Sequence, residues 1–256
     1  MFRQTHSFTF VSLLLLSVLL SLPASGIVIR HDRDDAKYLE LGARFPAVGL
    51  VGRDGGTLIA PQWVMTAAHV AEGAQQRGRK VRFGDVDYAI DQVFIHPDWR
   101  EQGPHDIALI KLAEPVKGAT PIAIYSENKE AGQIATFVGQ GGTGTGLTGP
   151  AREDGKKRGA TNKIDSADQD WLYFTFDDPA TATDLEGISG PGDSGGPALI
   201  QVDGKYYLAG ISVWGMPGKN GRGTYGAKEG YTRVSTHRPW IEATLSSNTS
   251  SHKGKM

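Results

Sequence analysis

The chain has 256 residues, and its 27 lysines plus arginines against 28 aspartates plus glutamates leave a formal charge of −1, so no basic excess exists to neutralise nucleic-acid phosphates. The absence of cysteine removes thiol nucleophiles, disulfides and every cysteine-ligated zinc or iron-sulfur centre. With 34 glycines against 4 methionines the composition favours a turn-rich β protein over a helical bundle.

The chain opens with the marks of export. Arg3 supplies a positive start, Val11 to Leu22 is an apolar stretch too short to cross about 30 Å of bilayer as a helix, Pro23 ends it, and Ala24-Ser25-Gly26 places small residues before a cleavage after Gly26. Residues 1–26 are expected to be a signal peptide, and the mature protein to be secreted or periplasmic with no membrane contact after cleavage. Further on, short apolar runs at 47–51, 57–60, 88–95, 107–112, 133–138, 171–176, 198–202 and 206–213 alternate with glycine, proline and acidic clusters. This pattern predicts many short antiparallel strands, and it lacks the long periodic segments that crossover helices of a parallel sheet need. Pro115, Gly118, Pro121 and Gly132 mark a seam between two β-rich halves, about 27–120 and 121–234. Residues 139–166, rich in Gly, Lys and Arg, read as a loose region with a long exposed loop in its middle. One helix is expected at 235–245, capped by Ser235 or Thr236 with Pro239 near its first turn. Residues 246–256 read as a flexible polar tail, in which Asn248-Thr249-Ser250 meets the glycosylation pattern.

Two motifs are set aside. Gly144-Thr145-Gly146-Leu147-Thr148-Gly149 has the spacing of a dinucleotide fingerprint, but Pro150, Gly155 and Gly159 follow where a helix N-terminus should receive the pyrophosphate. The 7 histidines form no pair at helical metal-ligand spacing, so neither a metal nor any other cofactor is expected.

Three segments carry chemistry together. Thr66-Ala67-Ala68-His69 places a histidine just after an apolar run. Asp106-Ile107-Ala108-Leu109 puts an aspartate at the head of a buried strand, a costly place for an unpaired charge. In Gly190-Pro191-Gly192-Asp193-Ser194-Gly195-Gly196-Pro197, glycines flank a serine and permit backbone conformations closed to other residues. Together, His69, Asp106 and Ser194 supply a base, an orienter and a nucleophile.

With these motifs, and with Phe94-Ile95-His96-Pro97, Gly210 to Gly215, Tyr231 to Val234 and the C-terminal helix, the sequence resembles the trypsin and chymotrypsin family of serine endopeptidases over about residues 27–245. The resemblance implies an all-β fold of two antiparallel barrels, six strands each, with the active site between them and a C-terminal helix. It implies a catalytic triad of His69, Asp106 and Ser194, and an oxyanion hole from the N–H groups of Gly192 and Ser194. Substrate backbone is expected along Val213, Trp214 and Gly215. Signal cleavage after Gly26 is expected to free the Ile27 ammonium to pair with Asp193, although Ile29 and Arg30 stand where the family has two glycines. The substrate is then a peptide or protein and the enzyme a monomer; the alternative is a catalytically silent binding or regulatory protein of the same fold.

Departures from the family pattern carry further expectations. Val213 stands where the family has a serine that helps bind the triad aspartate, and Ser212 faces the other way along a strand. The segment Ala71 to Lys80, taken as the calcium loop, offers only Glu72, so no calcium is expected. At the base of the primary pocket Ile188 offers no charge, and Ser189 and Gly215 leave room nearby. A neutral, apolar P1 residue is therefore the first choice, while Glu229 on the pocket wall keeps a basic P1 open.

Overall fold

The computed structural model describes residues 26–101 and 103–249. The signal-peptide stretch before Gly26 and the end of the expected tail lie outside the described residues. One antiparallel sheet of seven strands runs in the spatial order Val86–Tyr88, Val81–Phe83, Val48–Val51, Asp54–Ala60, Trp63–Thr66, Ala108–Leu112, Ile90–Ile95. A second sheet of eight runs Arg158–Lys163, Ile134–Gly139, Pro197–Val202, Lys205–Met216, Lys228–Arg233, Trp171–Thr175, Ser166–Ala167, with Ala123–Ile124 alongside Lys205–Met216 in parallel. The strands form where the apolar runs predict them. In Trp171–Thr175 the alternation puts Leu172 and Phe174 inward. Fully buried Leu58, Val64, Met65, Leu109 and Ile110 fill the first sheet's core, which Val138, Leu199 and Ile211 of the second half join. The second core centres on Phe137 and Tyr231, stacked at 4.9 Å.

Several expectations are corrected. Residues 27–43 do not belong with the first half: Val28–Ile29 lies between Thr143–Thr145 and Gly187–Ile188 in a small four-stranded sheet. The expected loop at 139–166 is largely strand, comprising Thr143–Thr145, Gly149–Arg152 and Arg158–Lys163. Its charge does not reach water at Arg158, which is fully buried and bonded to Asp35 (2.6 Å) and Asp154 (2.7 Å). Two helices were not foreseen, α1 (Asp35–Ala43) and α2 (Ala68–Gln76). Helix α1 is capped by Asp34, whose Oδ1 accepts from Ala36 N at 2.9 Å, and it packs on Arg158–Lys163. The terminal helix, α3 (Arg238–Thr249), follows a short 3₁₀ turn at Ser235–His237 and continues past the expected end at 245. Ser247 and Asn248 extend it by bonding back to the Ala243 and Thr244 carbonyls. Among the described residues no helix is long and apolar enough to cross a membrane.

Candidate active site

His69 stands in the first turn of α2, directly after the wholly buried strand Trp63–Thr66. The N-cap residue Ala67 has no side chain to satisfy the helix's first N–H groups. Asp106, just ahead of the neighbouring strand Ala108–Leu112, does so for one of them. Its Oδ1 accepts from His69 N at 3.0 Å, while its Oδ2 lies 2.6 Å from His69 Nδ1. One carboxylate therefore fixes both the start of α2 and the orientation of the ring. Burial lowers the proton affinity of His69, but the hydrogen bond and charge of Asp106, helped by the charge of Asp54, carry its pKa above the ordinary 6.5.

Asp106 precedes its strand, which begins only at Ala108; the three residues from His105 form a tight turn closed by Ile107 N donating to His105 O at 2.8 Å. The turn sends the two side chains apart, Asp106 to His69 and His105 to His237. Thr232 Oγ1 donates to the Asp106 carbonyl at 3.0 Å and ties this turn to the second sheet.

Ser194 sits between Gly192 (φ 90°) and Gly195 (φ 79°), backbone conformations that a side chain would resist. A Cβ on Gly195 would fall 2.1 Å from Thr66 Oγ1, so glycine also lets the serine loop lie against the strand that leads to His69. Gly55 N donates to Ser194 O at 2.7 Å and completes that junction. The N–H groups of Gly192 and Ser194 find no acceptor among the described residues. The Ser194 hydroxyl makes no hydrogen bond to the His69 ring in this arrangement; bonds of this kind commonly tighten only when substrate binds.

The expected pocket residues Ile188, Ser189, Val213, Trp214, Gly215 and Glu229 line one cleft together with Ser194. Residues 214–216 pair on one edge with 228–230, while the other edge has no strand partner among the described residues, since pairing with Pro197–Val202 ends at Ile211. Glu229 is 6% exposed, and its Oε2 accepts from Ser189 N at 3.1 Å without an ion-pair partner among the described residues. Burial pushes its pKa up to about 8, outweighing the Ser189 hydrogen bond, and the nearby charge of Asp193 adds to the rise. The Ser212 hydroxyl turns to Ser189 Oγ (3.3 Å), which in turn meets the Tyr231 hydroxyl at 2.5 Å, so it gives Asp106 nothing.

Ile27 N donates to Asp193 Oδ2 at 2.9 Å, and Gly190 N and Gly141 N donate to the same carboxylate at 2.7 Å each. Burial outweighs these bonds and pushes the Asp193 pKa up to about 6. The residues that replace the family's glycines are accommodated: Arg30, 3% exposed, is held by Asp32 and by the Thr183 carbonyl at 2.7 Å. Ala71 to Gln76 belong to α2, so the segment taken as a calcium loop is mostly helix.

Sequence reasoning missed two aromatic walls. Trp99 and Trp171 line the cleft beside His69, Asp106 and Trp214, with the Trp171 ring 5.9 Å from that of Trp214. Three tryptophans converging from distant segments leave no local signal.

A family model described as Trypsin matches residues 44–241. The chain is 32% identical over 230 residues to complement C1s subcomponent of Sus scrofa, covering 77% of this chain and 32% of that protein. It is 29% identical over 214 residues to vitamin K-dependent protein C of Mus musculus, covering 74% of this chain and 45% of that protein. The chain thus spans from about a third to just under half the length of these relatives. Its fold matches that of neuropsin, a serine protease expressed in the limbic system of mouse brain, with a TM-score of 0.60 at 24% identity, covering 80% of this chain and 96% of that one. Since the family model covers most of the chain, and does so through the segments that place His69, Asp106 and Ser194, this protein belongs to the trypsin family of serine endopeptidases.

Proposed function

We propose that the protein is a secreted or periplasmic serine endopeptidase that cleaves peptide bonds through an acyl-enzyme on Ser194. The observation that carries this reading is the seating of His69 on Asp106 at 2.6 Å, with His69 lining one cleft together with Pro191 and Gly192 of the Ser194 loop. His69 takes the Ser194 proton as the hydroxyl attacks the scissile carbonyl, and Asp106 steadies the imidazolium that results. The free N–H groups of Gly192 and Ser194 receive the oxyanion, a donor pair of which each member is worth about 10² to 10³ in rate. Substrate backbone adds to the open edge of 213–215 as an extra strand.

Glu229 sets the specificity. Held near pKa 8, it is a neutral carboxylic acid at pH 7, so the pocket receives uncharged, mainly apolar P1 residues there. Above pH 8 it ionises and basic P1 residues gain.

Maturation follows from Ile27. In the uncleaved chain this β-branched residue has φ 60°, and Gly26 is so close to Gly139 and Gln140 that a Cβ would fall 2.2 Å from their backbone. Cleavage after Gly26 removes both constraints and replaces the amide on Asp193 by an ammonium.

The competing reading, a silent binding protein of the same fold, predicts no turnover. Cleavage profiling on a diverse peptide library, with Ser194→Ala as control, separates the two. Ser194-dependent cleavage supports the endopeptidase, and identical profiles for both proteins refute it.

A further inference from the structure

The sequence shows no histidine pair at metal-ligand spacing, yet the fold gathers three histidines from distant segments. His96 follows strand Ile90–Ile95, His105 precedes Asp106, and His237 closes the turn before α3. A ring nitrogen of each lies within 4.8 Å of the others, and His105 Nδ1 is 3.0 Å from His237 Nε2. The His96 ring centroid lies 5.0 Å from that of His105 and 5.2 Å from that of His237.

The surroundings prepare the rings as ligands. His237 Nδ1 is 2.8 Å from the Arg233 carbonyl, which can only accept, so Nδ1 carries the proton and Nε2 turns its lone pair inward. A backbone carbonyl behind the imidazole in this way is the usual device that orients a metal-bound histidine. His96 Nδ1 accepts only a long bond, 3.3 Å, from Asp98 N. The Trp240 ring, 5.0 Å from that of His96, packs beside it, while His96 and His105 remain half-buried and leave an entry path.

Zinc bound to imidazole nitrogens at about 2.0–2.1 Å in a tetrahedron holds them about 3.3 Å apart. The ring nitrogens, within 4.8 Å of one another, would close by side-chain rotation to reach that spacing. Three imidazoles without thiolate or carboxylate suit zinc rather than calcium or magnesium, which take oxygen ligands.

We propose that His96, His105 and His237 form a zinc site, completed by a water, at the back of the Asp106 turn. Its occupant ties together the two segments that carry Asp106 and Trp99. His96 N donates to Ile107 O at 3.1 Å, and Trp99 N donates to His96 O at 3.1 Å, so a metal on these rings stiffens one wall of the cleft.

The test is calorimetric titration of the metal-stripped protein with zinc chloride, repeated with His96→Asn, His237→Gln and His69→Ala. Cobalt(II) is the spectroscopic probe. One zinc per chain, an intense visible cobalt band of four-coordinate type, and at least tenfold weaker binding in both His96→Asn and His237→Gln are expected. His69→Ala is expected to bind as the parent does. His96→Asn is half-exposed and outside the triad, so its metal-free peptidase activity reports that it has folded. No zinc binding by the parent, binding unchanged in His96→Asn, or binding lost in His69→Ala overturns the proposal.

Discussion

Asp106 is the residue on which most of the site's geometry rests, because it holds the His69 ring and the His69 N–H in the first turn of α2 with the same carboxylate. Asp106→Asn is expected to leave the fold in place and lower kcat about 10⁴-fold, since an amide favours the wrong imidazole tautomer. His69 must be neutral to accept a proton. Its raised pKa therefore makes kcat/KM of the parent climb with pH through a value above 6.5, and steady-state rates from pH 5 to 9 check this. Stability from the same group has the opposite sign: it is complete below 6.5 and is lost as pH rises through the folded value. Glu229 behaves as a raised acid. Between its ordinary 4.5 and about 8 the folded chain keeps a proton that the unfolded chain releases, so this residue erodes stability as pH rises through that window. Glu229→Gln is expected to melt near the parent at pH 4 and above it at pH 8. It is also expected to abolish the rise in the Arg-to-Leu cleavage ratio that the parent shows as pH passes 8. A ratio flat in the parent contradicts the assigned role.

At the scale of elements, the N-terminal strand Val28–Ile29 is the piece that the proposed mechanism ties most to activity, because it carries Ile27 to Asp193, the residue immediately before Ser194. A protein with one extra residue before Ile27, and separately Asp193→Asn, is expected to lose most turnover while retaining the fold. Full activity in the extended form, with its mass confirmed, contradicts the pairing. The strands around the site were legible because their apolar runs alternate or stay buried, as in Trp63–Thr66 and Trp171–Thr175. Helix α2 was not, since its cap is Asp106, 37 residues away, and no local signal exists. Arg158 misled for a related reason. A lysine- and arginine-rich stretch reads as solvated, whereas here Asp35, distant in sequence, and Asp154 neutralise the one cation that is buried.

For the whole molecule, two curled sheets joined by a common core bring His69 and Asp106 of the first half against the serine loop of the second. The segments that carry the proposed triad could be read one by one because each needs local residue types: small residues before His69, glycines around Ser194. The aromatic walls and the three-histidine cluster were not, because they arise only when the halves and α3 close on one another. The central claim is that this closure makes Ser194 a nucleophile driven by His69. The most direct measurement is mass spectrometry of the protein, cleaved before Ile27, after reaction with an active-site serine phosphonylating reagent, alongside His69→Ala. The account predicts one adduct per chain on the peptide holding Ser194, peptidase loss in step with labelling, and labelling of His69→Ala slower by several orders of magnitude. An unlabelled Ser194, or peptide hydrolysis that persists after complete labelling, would contradict it.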